Sequence, residues 1–182
     1  VMVTYKDTAD IKEKLAGELD WADCVVAGPG LSKSDTAKEI VAEMIAYQPK
    51  REKRLPVLTG CRRIKHHAEN RKLLSGIAEN EGSSKQYVYT PHMGEAARLS
   101  GKSIAQLKET SCESAKELAQ KLRGICVLKD AATVVSDGSR IYINTSGNSG
   151  MSTAGAGDTL TGILAGSGAC RADTEERKRK CF

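Results

Sequence analysis

The stretch Asn144-Thr145-Ser146-Gly147-Asn148-Ser149-Gly150-Met151-Ser152-Thr153-Ala154-Gly155-Ala156-Gly157-Asp158-Thr159-Leu160-Thr161-Gly162-Ile163-Leu164-Ala165-Gly166 changes character halfway along. Its first part, with Gly147, Gly150, Gly155 and Gly157, has the composition of a loop. Leu160, Ile163 and Leu164 then recur at helical spacing. A glycine-rich loop that runs into a helix offers unpaired backbone N–H groups at the positive end of the helix dipole, and such a place binds anions. Asp158 stands at the junction, where an aspartate serves either as a helix cap or as a base held beside the bound anion. No lysine follows Gly157 directly, so the loop is not of the Walker type.

Outward from this loop the chain alternates between buried strands and amphipathic helices. Gly124-Ile125-Cys126-Val127-Leu128 reads as a buried strand ending at Lys129. Thr133-Val134-Val135 and Arg140-Ile141-Tyr142-Ile143 flank Asp137-Gly138, a hairpin signal. Gln86 to Thr90 reads as a strand stopped by Pro91, and His92 follows it. Gly94 to Leu99 starts a helix that Gly101 ends, Ser103 caps another, and Glu113 to Leu122 is a helix with Ala115, Leu118 and Leu122 inward. Nearer the start, Asp10 to Leu19 is a helix with Ile11, Leu15 and Leu19 on one face. Asp23 to Ala27 is a short strand closed by Gly28-Pro29-Gly30, and Ser34 to Tyr47 is a helix with Ile40, Val41, Met44 and Ile45 inward. Leu55 to Leu58 opens a further strand, and Asn70 to Asn80 reads as a helix. In an open α/β sheet ligands lie beyond the carboxyl ends of the strands, where Gly28, Gly30, His92 and Lys129 fall.

The 182 residues suit one domain, and the 40% hydrophobic content is that of an ordinary globular fold. No apolar run reaches the length of a membrane span, so no membrane partner is expected. Val1 to Lys6 lacks the charged-then-apolar order of a signal peptide, and the six cysteines form no Cys-x-x-Cys pair, so a cytoplasmic location and no metal site are expected. The net charge of +5 gathers largely in Arg177-Lys178-Arg179-Lys180 and in Arg62-Arg63-Ile64-Lys65-His66-His67. With aromatics at 4%, stacking residues are too few for these runs to imply a nucleic-acid partner.

Gly155-Ala156-Gly157-Asp158 with Leu160-Thr161-Gly162 resembles the signature of the ribokinase-like superfamily. Asn148-Ser149-Gly150-Met151, Val127-Leu128-Lys129-Asp130-Ala131-Ala132-Thr133 and Thr90-Pro91-His92-Met93-Gly94-Glu95 narrow the resemblance to the ADP/ATP-dependent NAD(P)H-hydrate dehydratases. It runs from about Val1 to about Gly166, with a charged tail expected over 167–182. It implies an α/β fold, a mostly parallel sheet with helices on both faces, and repair of hydrated NADH or NADPH at the expense of ADP or ATP with Mg2+. Asp158 is then the general base, and Gly155, Ala156 and Gly157 form an anion hole. Lys129, Asp130, Ala131, Ala132, Thr133, Asn148 and Gly157 line the nucleotide, and Gly28, Gly30, His92 and Asp158 line the hydrated nicotinamide. Asp130 stands where the family commonly has glycine. The resemblance allows a homo-oligomer. A sugar or hydroxymethylpyrimidine kinase of the same superfamily, or a nucleotide-binding remnant without catalysis, fits the same loop.

Between Gly60 and His67 the chain departs from the family, which has Asp-Ala-Asp-Ala-Leu-Asn there, and the chain looks like a family core with both edges cut. Codons for Leu-Asp-Ala-Asp-Ala-Leu-Asn-Ile, written CTG GAT GCC GAC GCA TTA AAC ATC and read one base early behind an A, give Thr-Gly-Cys-Arg-Arg-Ile-Lys-His. Those are the residues of Thr59 to His66. The expectation is a coding frame slip restored near Ala68-Glu69-Asn70; resequencing the coding DNA checks it, and codons incompatible with the shift would remove it.

Overall fold

The computed structural model describes residues 8–28, 34–48, 50, 55–59 and 85–172. Gly30, the run from Gly60 to His67, the helix expected over Asn70 to Asn80 and the basic run Arg177 to Lys180 lie outside them. The elements follow the hydrophobic pattern closely. Helix α1 (Thr8–Trp21) buries Ile11 and Leu19, spaced so that both face one side. Strand β1 (Val25–Ala27) follows. Helix α2 (Asp35–Ala46) begins at Ser34, whose hydroxyl accepts the Ala37 amide at 3.2 Å, and buries Ala37, Val41, Met44 and Ile45. Ile40, expected inward, is only half-buried, because the stripe runs through Ala37 and Val41.

Strand β2 (Leu55–Thr59) is buried at every position. Strand β3 (Lys85–Tyr89) leads to helix α3 (Met93–Ser100), which ends at Gly101 with φ of +78°. Helices α4 (Ile104–Glu109) and α5 (Ser111–Lys121) follow, the first opened by a reciprocal cap between Ser103 and Gln106. Strand β4 (Ile125–Leu128) then begins the hairpin of β5 (Thr133–Ser136) and β6 (Ile141–Asn144). The hairpin turn is set by Asp137, whose Oδ1 accepts the amides of Ser139 at 2.9 Å and Arg140 at 2.7 Å. Helix α6 (Ala156–Ala172) closes the described chain and continues beyond Gly166.

The six strands lie in sequence order, β1-β2-β3-β4-β5-β6. The first four are parallel and the last two pair antiparallel. Register places Val57 beside Tyr87, Tyr89 beside Cys126, and Leu128 beside Val134, all on one face. That face and residues from α1 through α5 form a single buried cluster. Helix α6 covers the other face: a Cβ on Gly168 would lie 3.3 Å from Pro56 Cβ and 3.8 Å from Cys24 Sγ. Helices therefore flank both faces of a mostly parallel sheet, as expected from the sequence.

Two features of the core follow from the strand pattern. Lys85, at the start of β3, is buried and donates to the carbonyls of Met44 at 2.9 Å and Ile45 at 2.6 Å, which closes the C-terminal end of α2. Burial pushes its pKa down to about 8. Tyr87 and Tyr89 alternate onto the core face and stack with centroids 6.1 Å apart. Their hydroxyls have no partner among the described residues. Gly124 makes this packing possible, because a Cβ there would lie 2.7 Å from the Tyr87 carbonyl oxygen and 2.8 Å from Tyr89 Cε2. Gly124→Ala should therefore lower stability by about 1–3 kcal/mol, the usual cost of overpacking a core. Chemical denaturation measures it, and an unchanged midpoint would show that β4 can shift away from β3.

Candidate active site

The parallel pairing sends the carboxyl ends of β1 to β4 to one edge of the sheet. Gly28 follows β1 there, buried and with φ of +147°. His92 follows β3 and Lys129 follows β4, and the two form a parallel bridge in which the Lys129 amide donates to the Pro91 carbonyl at 2.8 Å. The antiparallel hairpin brings a further segment to this edge. Thr133, at the start of β5, pairs with Asn144, at the end of β6, so the glycine-rich loop departs beside Thr133. Asp130, Ala131 and Ala132 are exposed between β4 and β5.

Local hydrogen bonds shape the loop. Asn148 Oδ1 accepts the Gly150 amide at 2.9 Å, and its carbonyl accepts the Met151 amide at 3.1 Å, forming a short 3-10 turn (Ser149–Met151). Asn148 is thus a loop-shaping residue with an exposed side chain. Gly155 has φ of +85°, a conformation that costs other residues strain. Helix α6 starts directly after it. The Ala156 amide donates to the Thr153 carbonyl at 3.2 Å, and the Thr159 amide to the Gly155 carbonyl at 2.9 Å. Between these, the amides of Gly157 and Asp158 have no acceptor among the described residues. The open donors at the helix start therefore include the Asp158 amide, whereas that of Ala156, one of the three expected, is engaged in the turn.

The tertiary fold brings Lys129 to this helix start. Its Nζ lies 3.8 Å from the place a Cβ on Gly157 would occupy. An ammonium thus stands beside the positive end of α6 and its amides without acceptors, a place suited to negative oxygen. Asp158 is exposed in the first turn of α6. His92 does a structural task at its strand end: it caps α3, with Nδ1 accepting the Gly94 amide at 3.0 Å. Glu95 answers by accepting the His92 amide at 2.9 Å. Glu95 was not singled out from the sequence, although the three-residue spacing from a helix cap to a glutamate is the signal that finds it. Thr59, buried at the carboxyl end of β2, donates its hydroxyl to the Val88 carbonyl at 3.5 Å.

Fold and site together define a ribokinase-like α/β protein. The family described as NAD(P)H-hydrate dehydratase matches residues 1–180, and the chain belongs to it. A bifunctional NAD(P)H-hydrate repair enzyme, Nnr, of Moorella thermoacetica is 35% identical over 159 residues, 86% of this chain and 28% of that protein. A ribokinase-like superfamily protein from Enterococcus faecalis superposes with a TM-score of 0.69 at 29% identity, over 89% of this chain and 52% of the other. The ADP/ATP-dependent NAD(P)H-hydrate dehydratase from Bacillus subtilis, co-crystallized with ATP/Mg2+, gives 0.64 at 25% identity, over 87% and 52%. The chain thus spans 28% of the length of that curated relative and 52% of each of these solved structures.

The geometry at Gly155 has a measurable consequence. No atom lies within 4 Å of a Cβ built there, so Gly155→Ala meets only backbone strain. It should cost about 1–2 kcal/mol, the left-handed penalty of an L-residue. Thermal melting checks this; an equal melting temperature would show that the loop relaxes without loss.

Proposed function

We propose that this chain carries the site for ADP- or ATP-dependent dehydration of hydrated NADH or NADPH. The observation that supports this best is the convergence of Lys129 Nζ and the open amides of Gly157 and Asp158, with the Asp158 carboxylate in the same helical turn. Family membership supplies the reaction. The nucleotide lies along Lys129 to Thr133, Asn148 and Gly157, with its transferred phosphoryl group at the start of α6. There the amides and the ammonium stabilise the charge that grows on the equatorial oxygens during transfer. The hydrated nicotinamide lies toward Gly28, Gly30 and His92.

In the first step the substrate hydroxyl attacks the terminal phosphorus, and Asp158 takes the hydroxyl proton. The bond to the leaving nucleotide oxygen breaks. In the second step the C–O bond to the new phosphate ester breaks, a proton leaves the adjacent carbon, and the ring double bond forms. Among the described residues no group of three His, Cys, Asp or Glu side chains makes a metal cage. Mg2+ would be held by substrate phosphates with one or two carboxylates, and Asp130 is an exposed carboxylate on this edge. Such an ion would neutralise phosphate charge. No helix of the described residues is long and apolar enough to cross a membrane, and Cys24, Cys112 and Cys126 are free thiols. A cytoplasmic location is part of this proposal.

Asp158→Asn should lower turnover by about 10²–10⁴-fold, the usual worth of a general base, and leave nucleotide affinity unchanged. Recovery of the NADH absorbance measures the first and calorimetry the second. Full turnover in the variant would remove Asp158 from the mechanism. Nucleotide binding by the unaltered chain with no turnover of hydrated NADH would favour a binding remnant, and phosphorylation of another small hydroxyl compound would favour a kinase.

A further inference from the structure

Two threonines of α6 bond back along the helix, and they differ in what lies on the far side of the bond. Thr159 Oγ1 donates to the Gly155 carbonyl at 3.2 Å, and Thr161 Oγ1 to the Gly157 carbonyl at 2.8 Å. Thr159 is exposed, so water competes for its bond. Thr161 is 3% exposed, and its hydroxyl has no such competitor. The Gly155 carbonyl shares its peptide plane with the Ala156 amide, which is already engaged with Thr153. The Gly157 carbonyl shares its plane with the Asp158 amide, which has no acceptor among the described residues. That amide belongs to the helix start that Lys129 Nζ approaches. The stability of the helix gives no reason for the Thr161 bond, because a threonine bonded to the carbonyl four residues back slightly destabilises a helix. What sets Thr161 apart is a buried donor at one end of a peptide whose other end is open.

We propose that Thr161 is a positioning residue for phosphoryl transfer: its buried hydroxyl holds and polarises the Gly157–Asp158 peptide, so that the Asp158 amide meets phosphate oxygen as a stronger and better-aimed donor. This deepens the proposed function and rests on it for the ligand. The N–H and C=O of a trans peptide point opposite ways in one plane, so a donor that fixes the carbonyl also fixes the direction of the amide. Hydrogen bonds in a chain polarise one another, by about 10–30% per bond. Here the chain runs from the Thr161 hydroxyl through one peptide to the phosphate. Within the helix the Gly157 carbonyl also accepts the Thr161 amide, so losing the hydroxyl leaves no carbonyl without a donor. Valine has the shape of threonine and removes the hydroxyl without opening a cavity.

Nitrogen-15 spectroscopy of the full chain tests the coupling without a nucleotide. Thr161→Val should move the Asp158 amide nitrogen to lower frequency, the direction of a less polarised peptide, with the melting temperature equal or higher. Thr161→Ser keeps the hydroxyl and should keep the Asp158 signal. Calorimetry with ADP and Mg2+ is the second measurement. Thr161→Val should weaken ADP about two- to fourfold, the size of that polarisation applied to a hydrogen bond with a charged acceptor. Thr161→Ser should bind ADP as the unaltered protein does, and so should Thr159→Val, which removes the exposed back-bond behind an amide already engaged. An Asp158 signal unmoved in Thr161→Val overturns the proposal, as does a Thr161→Ser that loses as much affinity as Thr161→Val. A weaker affinity that comes with a lower melting temperature in Thr161→Val also overturns it, because that pair marks a threonine with a structural task alone. If Thr161→Val does not fold, Thr161→Ala removes the same hydroxyl and takes its place in the resonance and affinity measurements with the same expectations. Failure of ADP to bind the unaltered chain counts against the proposed nucleotide site, while the Asp158 signal still decides the role of Thr161.

Discussion

The bridge between His92 and Lys129, closed by the hydrogen bond from the Lys129 amide to the Pro91 carbonyl, fixes where everything else in the site lies. It extends the parallel pairing of β3 and β4 past the strands themselves. Parallel strands all release their chains at the same edge, so residues remote in sequence leave the sheet side by side. The bridge sets the height of Lys129 on that edge. From there its side chain reaches the start of α6, where Gly157 has no side chain to fill the space between them.

The hairpin adds what parallel pairing alone does not supply. Because β5 and β6 run antiparallel, the end of β6 returns to the edge at which β4 ended, with Asn144 opposite Thr133. The glycine-rich loop is thereby delivered next to Lys129 to Thr133. Helix α6 then folds back over the opposite face onto β2 and the residues before β1, where Gly168 meets Pro56 and Cys24. That packing directs the amino end of the helix, with its positive dipole, toward the site edge.

The core below this edge holds polar groups in ways that differ in energetic consequence. Lys85 is buried but pairs with two carbonyls at the end of α2, so its ammonium ties a helix to a strand. Tyr87 and Tyr89 bury their hydroxyls without partners among the described residues, and burial pushes the Tyr87 pKa up to about 12. Cys126 beside Tyr89 behaves as a buried apolar residue, its thiol likewise pushed up to about 12. His92 and Glu95 occupy the boundary between this core and solvent, and there the buried Glu95 carboxylate accepts the His92 amide at the start of α3.

Much of the fold was legible in the residues themselves. Strand runs such as Ile125 to Leu128 and helix stripes such as Val41, Met44 and Ile45 are set by burial at periods of two and 3.6, which are local properties of the backbone. The glycine-rich loop and the helix it enters were legible for the same reason, since glycines and a helix start lie in one continuous stretch. Asp158 and Lys129 could be singled out separately, but spacing does not say that Lys129 Nζ comes close to Gly157, because strand register and the return of the hairpin decide that distance. Nor does it say which amides stay open: the Ala156 amide turns back to Thr153, and only backbone geometry distinguishes it from those of Gly157 and Asp158. His92 was legible as a residue beyond a strand end, whereas its hold by Glu95 and Gly94 depends on the ring orientation that packing selects. The sequence by itself determined which segments form strands, helices and the glycine-rich loop, because those choices are made within a few residues. The tertiary structure decided which of them meet, because parallel pairing joins segments through the space between strands and not along the chain.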